Sequence, residues 1–367
     1  MDIIKKKISS SQAVTFFIDG NNQSFPSDLD LAKYDKSIIF CDKKLKKIYF
    51  DFIKKIKPKN LKTKPIFISS NEKTKSILKL PFFLNKLEKR ICSRSDIIIA
   101  IGGGTITDMI GFSSSIYMRG VDLFLVPTTL MGQADATTAG KTCINSLSTK
   151  NIIGTYYLPK FVYANINYLE NLPSYEFRQG ISEIFKYGLL GSKKLITDLE
   201  TFTKNKEKKL ISKILKETIR VRISLRKKNG LISNLGHTFG HAFEKTSNYK
   251  VAHGDAISVG IILALKFSLD RKIISVNFYN RIYNIMKKLN LNMHIDSKFN
   301  INKIIEVMLK DKKSREGKIG LVLIKDISKI LTSVKNPFFY VDVLSMKNFL
   351  NNNLKSFSKK NHWVKLK

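Results

Sequence analysis

Cysteine is scarce in this chain of 367 residues. The three that occur, Cys41, Cys92 and Cys143, lie far apart and form no CxxC. That argues against both disulfides and a thiolate metal cluster, and a reducing cytoplasm fits best. Long apolar runs are missing too, none approaching the ~20 residues of a membrane span. The opening MDIIKKKISSSQAV has no sustained apolar stretch of the kind a secretion signal carries. Acidic residues are few, 29 against 65 Lys and Arg, which leaves a net charge of +36. Such a surplus suits phosphate backbones where it is clustered. Here lysine is spread over nearly every segment beside abundant Ile, Asn, Phe and Tyr, all encoded by AT-rich codons. Base composition therefore accounts for the excess, and the expected partner is an anionic small molecule rather than nucleic acid.

The length accommodates two domains. In the first half, strand-like apolar runs alternate with helical segments. SIIFC (37–41) precedes DKKLKKIYFDFIKKI, and PIFIS (65–69) precedes a helical stretch to residue 90. DIIIAI (96–101) runs into three glycines and TITDMIGFSSSIYM, and VDLFLVP (121–127) closes the series. This alternation predicts a wound, mostly parallel α/β sheet, Rossmann-like, with ligands at the carboxyl ends of its strands. From about Asn167 the strand-like runs become rare and helical periodicity takes over, which predicts an α-helical second domain. No internal repeat is present, and the last residues, KSFSKKNHWVKLK, form a weakly patterned basic tail.

Several stretches carry chemistry. Gly102-Gly103-Gly104 lets backbone N–H groups approach a phosphate at a helix N-terminus, although the spaced glycines of GxGxxG are absent. Asp42, after its strand, suits a ribose hydroxyl or a helix cap equally well. VPTTLMGQADATTAGKT (126–142) is polar after a buried strand and supplies Asp135 and Lys141, with Lys150 and Asn151 close behind. In QGISEIFKYG, Glu183 and Lys186 share a helix face. Glu183 sits among apolar neighbours, where an unpaired carboxylate is costly.

Only five histidines occur, and three of them, His237, His241 and His253, fall within 17 residues. His237 and His241 are four apart and project to one side of a helix, but HTFGH lacks the glutamate of HExxH. With Glu183 they make four candidates for the three protein positions of a catalytic metal site. Spacing alone leaves open which one is excluded. The last stretch, LKDKK, offers Lys312 and Lys313 to a phosphate or carboxylate.

In this order, GGGTITDMIGF, YMRG, VPTTLMGQAD, GKT, TKNIIGTYYLP, GISEIFKYG, NLGHTFGHAFE, HGDAI and LKDKK resemble the 3-dehydroquinate synthase family of sugar-phosphate cyclases, over Asp42 to Leu323. The resemblance implies an NAD-binding α/β domain over 1–166, a helical metal and substrate domain over 167–354 and a tail over 355–367. It implies zinc, or cobalt, held by Glu183, His237 and His253, with His241 left for proton transfer. Lys150, Lys186, Asn234 and Asp135 match catalytic positions, and Arg119, Lys141, Asn151, Arg226 and Lys312 match substrate contacts. NAD would touch Asp42, Glu72, Lys75, Gly103, Gly104, Asp108, Thr128 and Thr129. The implied activity converts 3-deoxy-arabino-heptulosonate 7-phosphate to 3-dehydroquinate and phosphate, by transient oxidation, elimination, reduction and aldol closure, in a cytoplasmic homodimer. Alternatives are an NAD- and metal-dependent polyol dehydrogenase, a cyclase for another sugar phosphate, and a catalytically impaired remnant.

The chain departs from the family pattern between Arg226 and Asn234. KKNGLIS stands where relatives carry a longer acidic segment with a substrate-binding arginine. Arg226 replaces a usual lysine, which is not an equivalent exchange at a bidentate contact. Thr107 and Ala139 replace usual glycines, and every implied metal position is kept. These features predict an active but trimmed enzyme, with Lys227 or Lys228 partly replacing the lost arginine.

Overall fold

The computed structural model describes residues 1–7, 13–20, 25, 29, 31–56, 64–138, 140–147, 149–205, 207–294, 299–332 and 336–354. Ala139 and the tail 355–367 lie outside the described residues. The chain forms two compact units, Met1–Leu172 and Pro173–Lys367.

The first unit is built on a seven-stranded sheet. Its strands are β1 (Asp2–Lys7), β2 (Ala13–Asp19), β3 (Ser37–Asp42), β4 (Ile66–Ile68), β5 (Ile97–Gly102), β6 (Asp122–Pro127) and, after a β7–β8 hairpin (Lys141–Ile144, Ile153–Tyr156), β9 (Phe161–Asn165). The spatial order is β1-β2-β9-β6-β5-β3-β4, parallel throughout except for the antiparallel edge strand β1. Every residue of IIIAIG in β5 is buried, as expected of a central parallel strand covered on both faces. Among the described residues, the helices α1 (Lys46–Ile56), α2 (Leu80–Glu88) and α3 (Gly104–Ile116) accompany the sheet. Phe52 of α1 packs into an aromatic core with Phe17, Phe124 and Tyr163.

The predicted strands at 37–41, 65–69, 96–101 and 121–127 are present, and β1, β2 and β9 extend the sheet beyond them. The stretch after β4 differs from the expected helix: Glu72–Lys75 and Ile77–Lys79 are 3-10 turns, and only Leu80–Glu88 is α-helical. Asn71 and Thr74 close a reciprocal capping box there, and Ser76 bridges to Asn145, so the chain bends before α2 begins. Strand order sets the position of the site. From β3 the chain moves outward to β4, whereas from β5 it moves the other way to β6. The carboxyl ends of β3 and β5 therefore flank the point where the winding reverses.

The second unit is helical: α4 (Ser174–Gly191), α5 (Lys193–Asn205), α6 (Lys208–Asn229), α7 (His237–Thr246), α8 (His253–Asp270), α9 (Val276–Lys288), α10 (Ile301–Leu309) and α11 (Val343–Leu354). Four short strands form two small pairs, β10 (Ile319–Leu321) with β13 (Phe339–Val341) and β11 (Ile324–Asp326) with β12 (Lys329–Ile330). Helix α8 is apolar on all sides and buried from Gly254 to Leu265, the pattern of a central helix. Helices α4, α7 and α9 pack around it. The approach of α7 is unusually close. Gly236, at φ +77°, caps α7, and a Cβ there would stand 2.6 Å from the Ile261 nitrogen. A Cβ on Gly260 would stand 2.0 Å from the Gly236 carbonyl oxygen. These glycines bring the start of α7 onto α8.

Candidate active site

In the second unit, α4, α7 and α8 each supply one member of a compact group. Glu183, His237 and His253 place their ligand atoms within 4.8 Å of one another. Helix α4 is tied to the start of α8 by the paired contacts of Arg178 with Asp255 at 3.1 and 3.2 Å. Ser182 adds a hydroxyl bond to the Gly254 carbonyl at 2.6 Å. Glu183 is fully buried, and its Oε2 accepts a hydrogen bond from the buried Lys186 ammonium. Its Oε1 has no hydrogen-bond donor among the described residues and faces Nε2 of His253 at 3.4 Å and of His237 at 3.7 Å.

The other ring nitrogens are engaged. Nδ1 of His237 donates to the Leu235 carbonyl at 3.1 Å, and Nδ1 of His253 donates to Oε2 of Glu244 at 3.2 Å. Carbonyl and carboxylate oxygens only accept, so each ring in its neutral form presents the lone pair of Nε2 toward Glu183. An orphaned buried carboxylate oxygen facing two such nitrogens fits a divalent cation.

His241 stands beside this group without joining it. Its ring centroid is 5.2 Å from that of His237, and its Nδ1 lies 3.3 Å from Oδ2 of Asp311. The side chains of His241 and His253 are 41% and 40% exposed, whereas Glu183 and His237 are buried, so the cluster has one open wall.

The electrostatics follow the geometry. Burial opposes ionisation of Glu183, but Lys186, His253 and His237 outweigh it and hold the carboxyl well below its usual range. Burial and the adjacent Lys186 charge keep His237 neutral by pushing its pKa well down. For His253 the loss of water lowers the pKa, while Glu244 and then Glu183 push it up to about 10.

In the same unit, Asn234 lies in the 3-10 turn Gly230–Asn234, its Nδ2 donating to the Leu231 carbonyl at 2.8 Å. KKNGLIS forms no free loop. Helix α6 continues through Arg226, Lys227 and Lys228 to Asn229, and the 3-10 turn then delivers Gly236 and α7. Lys312 is exposed, whereas Lys313 is fully buried against Asp311.

In the first unit, register sets the carboxyl ends of β3, β5 and β6 side by side, with Asp42, Gly102 to Gly104 and Thr128 to Thr129 at that edge. The Asp42 carboxylate caps the following turn, accepting from the Lys44 N–H at 3.0 Å. Gly103 lies against Thr129, and a Cβ on Gly104 would meet nothing within 4 Å. Helix α3 starts there without a side-chain cap, leaving open N–H groups that favour a phosphate. The hydroxyl of Thr107 turns back to the Gly103 and Gly104 carbonyls at 3.3 and 3.2 Å. Its buried side chain thus stays on the helix side of the turn.

Beside that turn, Lys75 Nζ meets Asp108 Oδ2 at 2.5 Å. Cys143 Sγ lies 3.6 Å from the same oxygen and 3.3 Å from Asn151 Oδ1. Asn145 donates to Glu72 at 2.8 Å, and Lys150 Nζ is 3.5 Å from Glu72. Burial raises the pKa of Asp108 despite Lys75, and burial with Asp108 pushes the Cys143 thiol up to about 12. Asp135 lies in a single π turn, Gly132–Ala136, where Gln133 donates to the Pro127 and Asn165 carbonyls at 3.2 and 2.9 Å. Lys141 opens β7, exposed. Arg119, also exposed, sits in a left-handed turn at φ 64°.

Sequence reasoning missed Cys143, Asn145, Glu244 and Asp311. Glu244 carried a usable signal, being three residues beyond His241 and seven beyond His237 on one helix. Asp311 stood inside a stretch already singled out for its lysines.

Comparison with known proteins identifies the family. The 3-dehydroquinate synthase N-terminal profile matches residues 65–179, and the C-terminal profile matches 180–314. A 3-dehydroquinate synthase of Helicobacter pylori (strain G27) is 35% identical over 301 residues, covering 80% of this chain and 86% of that protein. The enzyme of the same name from Endomicrobium trichonymphae is 33% identical over 345 residues, covering 90% and 94%. Among solved structures, a 2-deoxy-scyllo-inosose synthase complexed with carbaglucose-6-phosphate, NAD+ and Co2+ aligns with a TM-score of 0.83. It is 21% identical and covers 96% of this chain and 100% of that one, which demonstrates a shared fold.

Proposed function

The chain belongs to the 3-dehydroquinate synthase family, and from that premise we propose that it is an NAD- and divalent-metal-dependent lyase acting on 3-deoxy-arabino-heptulosonate 7-phosphate. The products are 3-dehydroquinate and phosphate, in the shikimate pathway to aromatic amino acids. One observation carries the metal dependence: the buried Oε1 of Glu183, without a hydrogen-bond donor among the described residues, faces two imidazole nitrogens whose opposite nitrogens are already engaged.

Glu183, His237 and His253 would hold the cation, zinc or cobalt, which would supply Lewis acidity toward a substrate hydroxyl and carbonyl. Asp42, Glu72, Lys75, Gly103, Gly104, Asp108, Thr128 and Thr129 hold NAD, which supplies reversible hydride acceptance. The remaining work falls to the chain's own side chains. Lys186 keeps Glu183 ionised in a buried setting. His241 moves a proton, as its position beside the cluster and its partly exposed ring allow. Lys150, Asn234 and Asp135 orient the substrate, and Arg119, Lys141, Asn151, Arg226 and Lys312 bind its phosphate and carboxylate. Support for activity despite the trimmed segment comes from α6, whose last turn carries Arg226, Lys227 and Lys228 together.

The test is incubation with the heptulosonate phosphate and NAD, following phosphate and dehydroquinate together. Equal amounts of both, without net NADH, are expected. Accumulating NADH without phosphate would identify a polyol dehydrogenase. Zinc and NAD binding with neither product would identify a remnant.

A further inference from the structure

The LKDKK stretch attracted attention for its lysines as substrate ligands. In the structure one of them is turned to another use. Asp311 follows α10, and its side chain is 8% exposed. Its Oδ2 lies 3.3 Å from Nδ1 of His241. Its Oδ1 accepts two bonds, from the Lys313 backbone N–H at 3.0 Å and from the Lys313 ammonium at 2.6 Å. The Lys313 side chain is 0% exposed, so it is out of reach of a substrate phosphate. A buried ammonium is costly unless paired, and Asp311 is its pair.

We propose that Asp311 is a positioning residue that fixes His241 as the Nδ1–H tautomer, with buried Lys313 anchoring Asp311 and Nε2 of His241 left as the nitrogen that exchanges a proton. The inference rests on the reading of His241 as the proton-transfer group. An ionised carboxylate only accepts hydrogen bonds, so the hydrogen of a neutral ring must lie on the nitrogen facing it. Burial opposes ionisation of Asp311, yet His241 and Lys313 hold it well below the usual carboxylate range. The neighbouring rings restrict His241 further, with centroids at 5.2 Å for His237 and 6.4 Å for His253. Without the carboxylate, either ring nitrogen could carry the hydrogen, and the tautomer needed for proton transfer would no longer be fixed.

The two anchoring bonds make Asp311→Asn an informative substitution. Both Lys313 donors converge on the Oδ1 side, so the single amide oxygen must occupy that side. The amide nitrogen then faces Nδ1 of His241 as a donor, which moves the ring hydrogen to Nε2. A change of tautomer of this kind leaves the shape of the site intact while removing the base. The experiment uses the full chain, metal-loaded, deuterated and labelled with 15N in its imidazoles, with the His241 signals identified by their loss in His241→Gln. Wild type is expected to show a protonated Nδ1 and an unprotonated Nε2 at His241. Asp311→Asn is expected to reverse them, with metal content unchanged and phosphate release slower by about 10²-fold or more. A wild-type ring protonated on Nε2 overturns the inference without any variant, so the test survives an Asp311→Asn protein that does not fold. Retention of Nδ1–H in a folded Asp311→Asn protein overturns it as well. Reversal of the tautomer with undiminished phosphate release supports the positioning role and overturns instead the reading of His241 as the proton carrier.

Discussion

Replacing Glu244 by glutamine sets two effects against each other at the metal centre. Its carboxylate accepts the Nδ1–H of His253 at 3.2 Å and so aims Nε2 at Glu183, 3.4 Å away. Losing a charged acceptor behind a metal-binding imidazole weakens metal affinity by about 10–100-fold, roughly 1.4–2.7 kcal/mol. In the opposite direction, burial lowers the His253 pKa, but Glu244, ahead of Glu183, pushes it up to about 10. A cation must expel that proton, so each pH unit below about 10 weakens apparent affinity by about tenfold. At pH 7 the competition amounts to roughly three decades in the wild type, and glutamine relieves part of it. Glu244→Gln should therefore show its full deficit only at about pH 10 and a shrinking one toward pH 6.5. Titration with Co2+ by visible absorbance, with a competing chelator and across that pH range, measures both. A deficit that is constant, or that grows on acidification, would refute the assignment of opposed orientation and proton terms.

His237→Ala should lose metal and phosphate release together, whereas Lys150→Ala should keep its metal and lose turnover, as metal analysis beside the phosphate assay will show. Gly236→Ala places a Cβ 2.6 Å from the Ile261 nitrogen at φ +77°, and a loss of about 3 kcal/mol or more is expected in denaturant unfolding. An unchanged midpoint would mean that α7 and α8 can separate freely. Because the folded pKa of His253 is raised from 6.5 to about 10, the metal-free protein gains stability from it below pH 6.5 and loses that contribution as pH rises toward 10. Thermal melts in chelator should decline over that window, and the His253→Gln protein should lack that part of the decline.

How much was legible in the sequence depended on whether the signal was local. The Ile runs of β3 and β5 announce themselves because parallel strands covered on both faces need continuous apolar residues. DIIKKK in β1 gives no such pattern, since half of it is lysine, and its strand character comes from pairing with β2. The turns between Glu72 and Lys79 follow from a capping box and a bridge to Asn145, a partner about 70 residues away. The histidine cluster was readable because helical spacing puts His237 and His241 on one side of α7. Which histidine pairs with which carboxylate was not, because α10 must pack on α7 before Asp311 reaches His241. The same holds for Cys143, one of three scattered thiols in the sequence, which β7 carries to Asp108.

Strand β1 forms one outer edge of the seven-stranded sheet among the described residues, and the edge of a sheet is where a further extended chain can add. The exposed Lys5 and Lys6 lie on it. A second copy adding there would set lysine against lysine, so the lysine surplus acts at this edge as a guard against strand-by-strand aggregation.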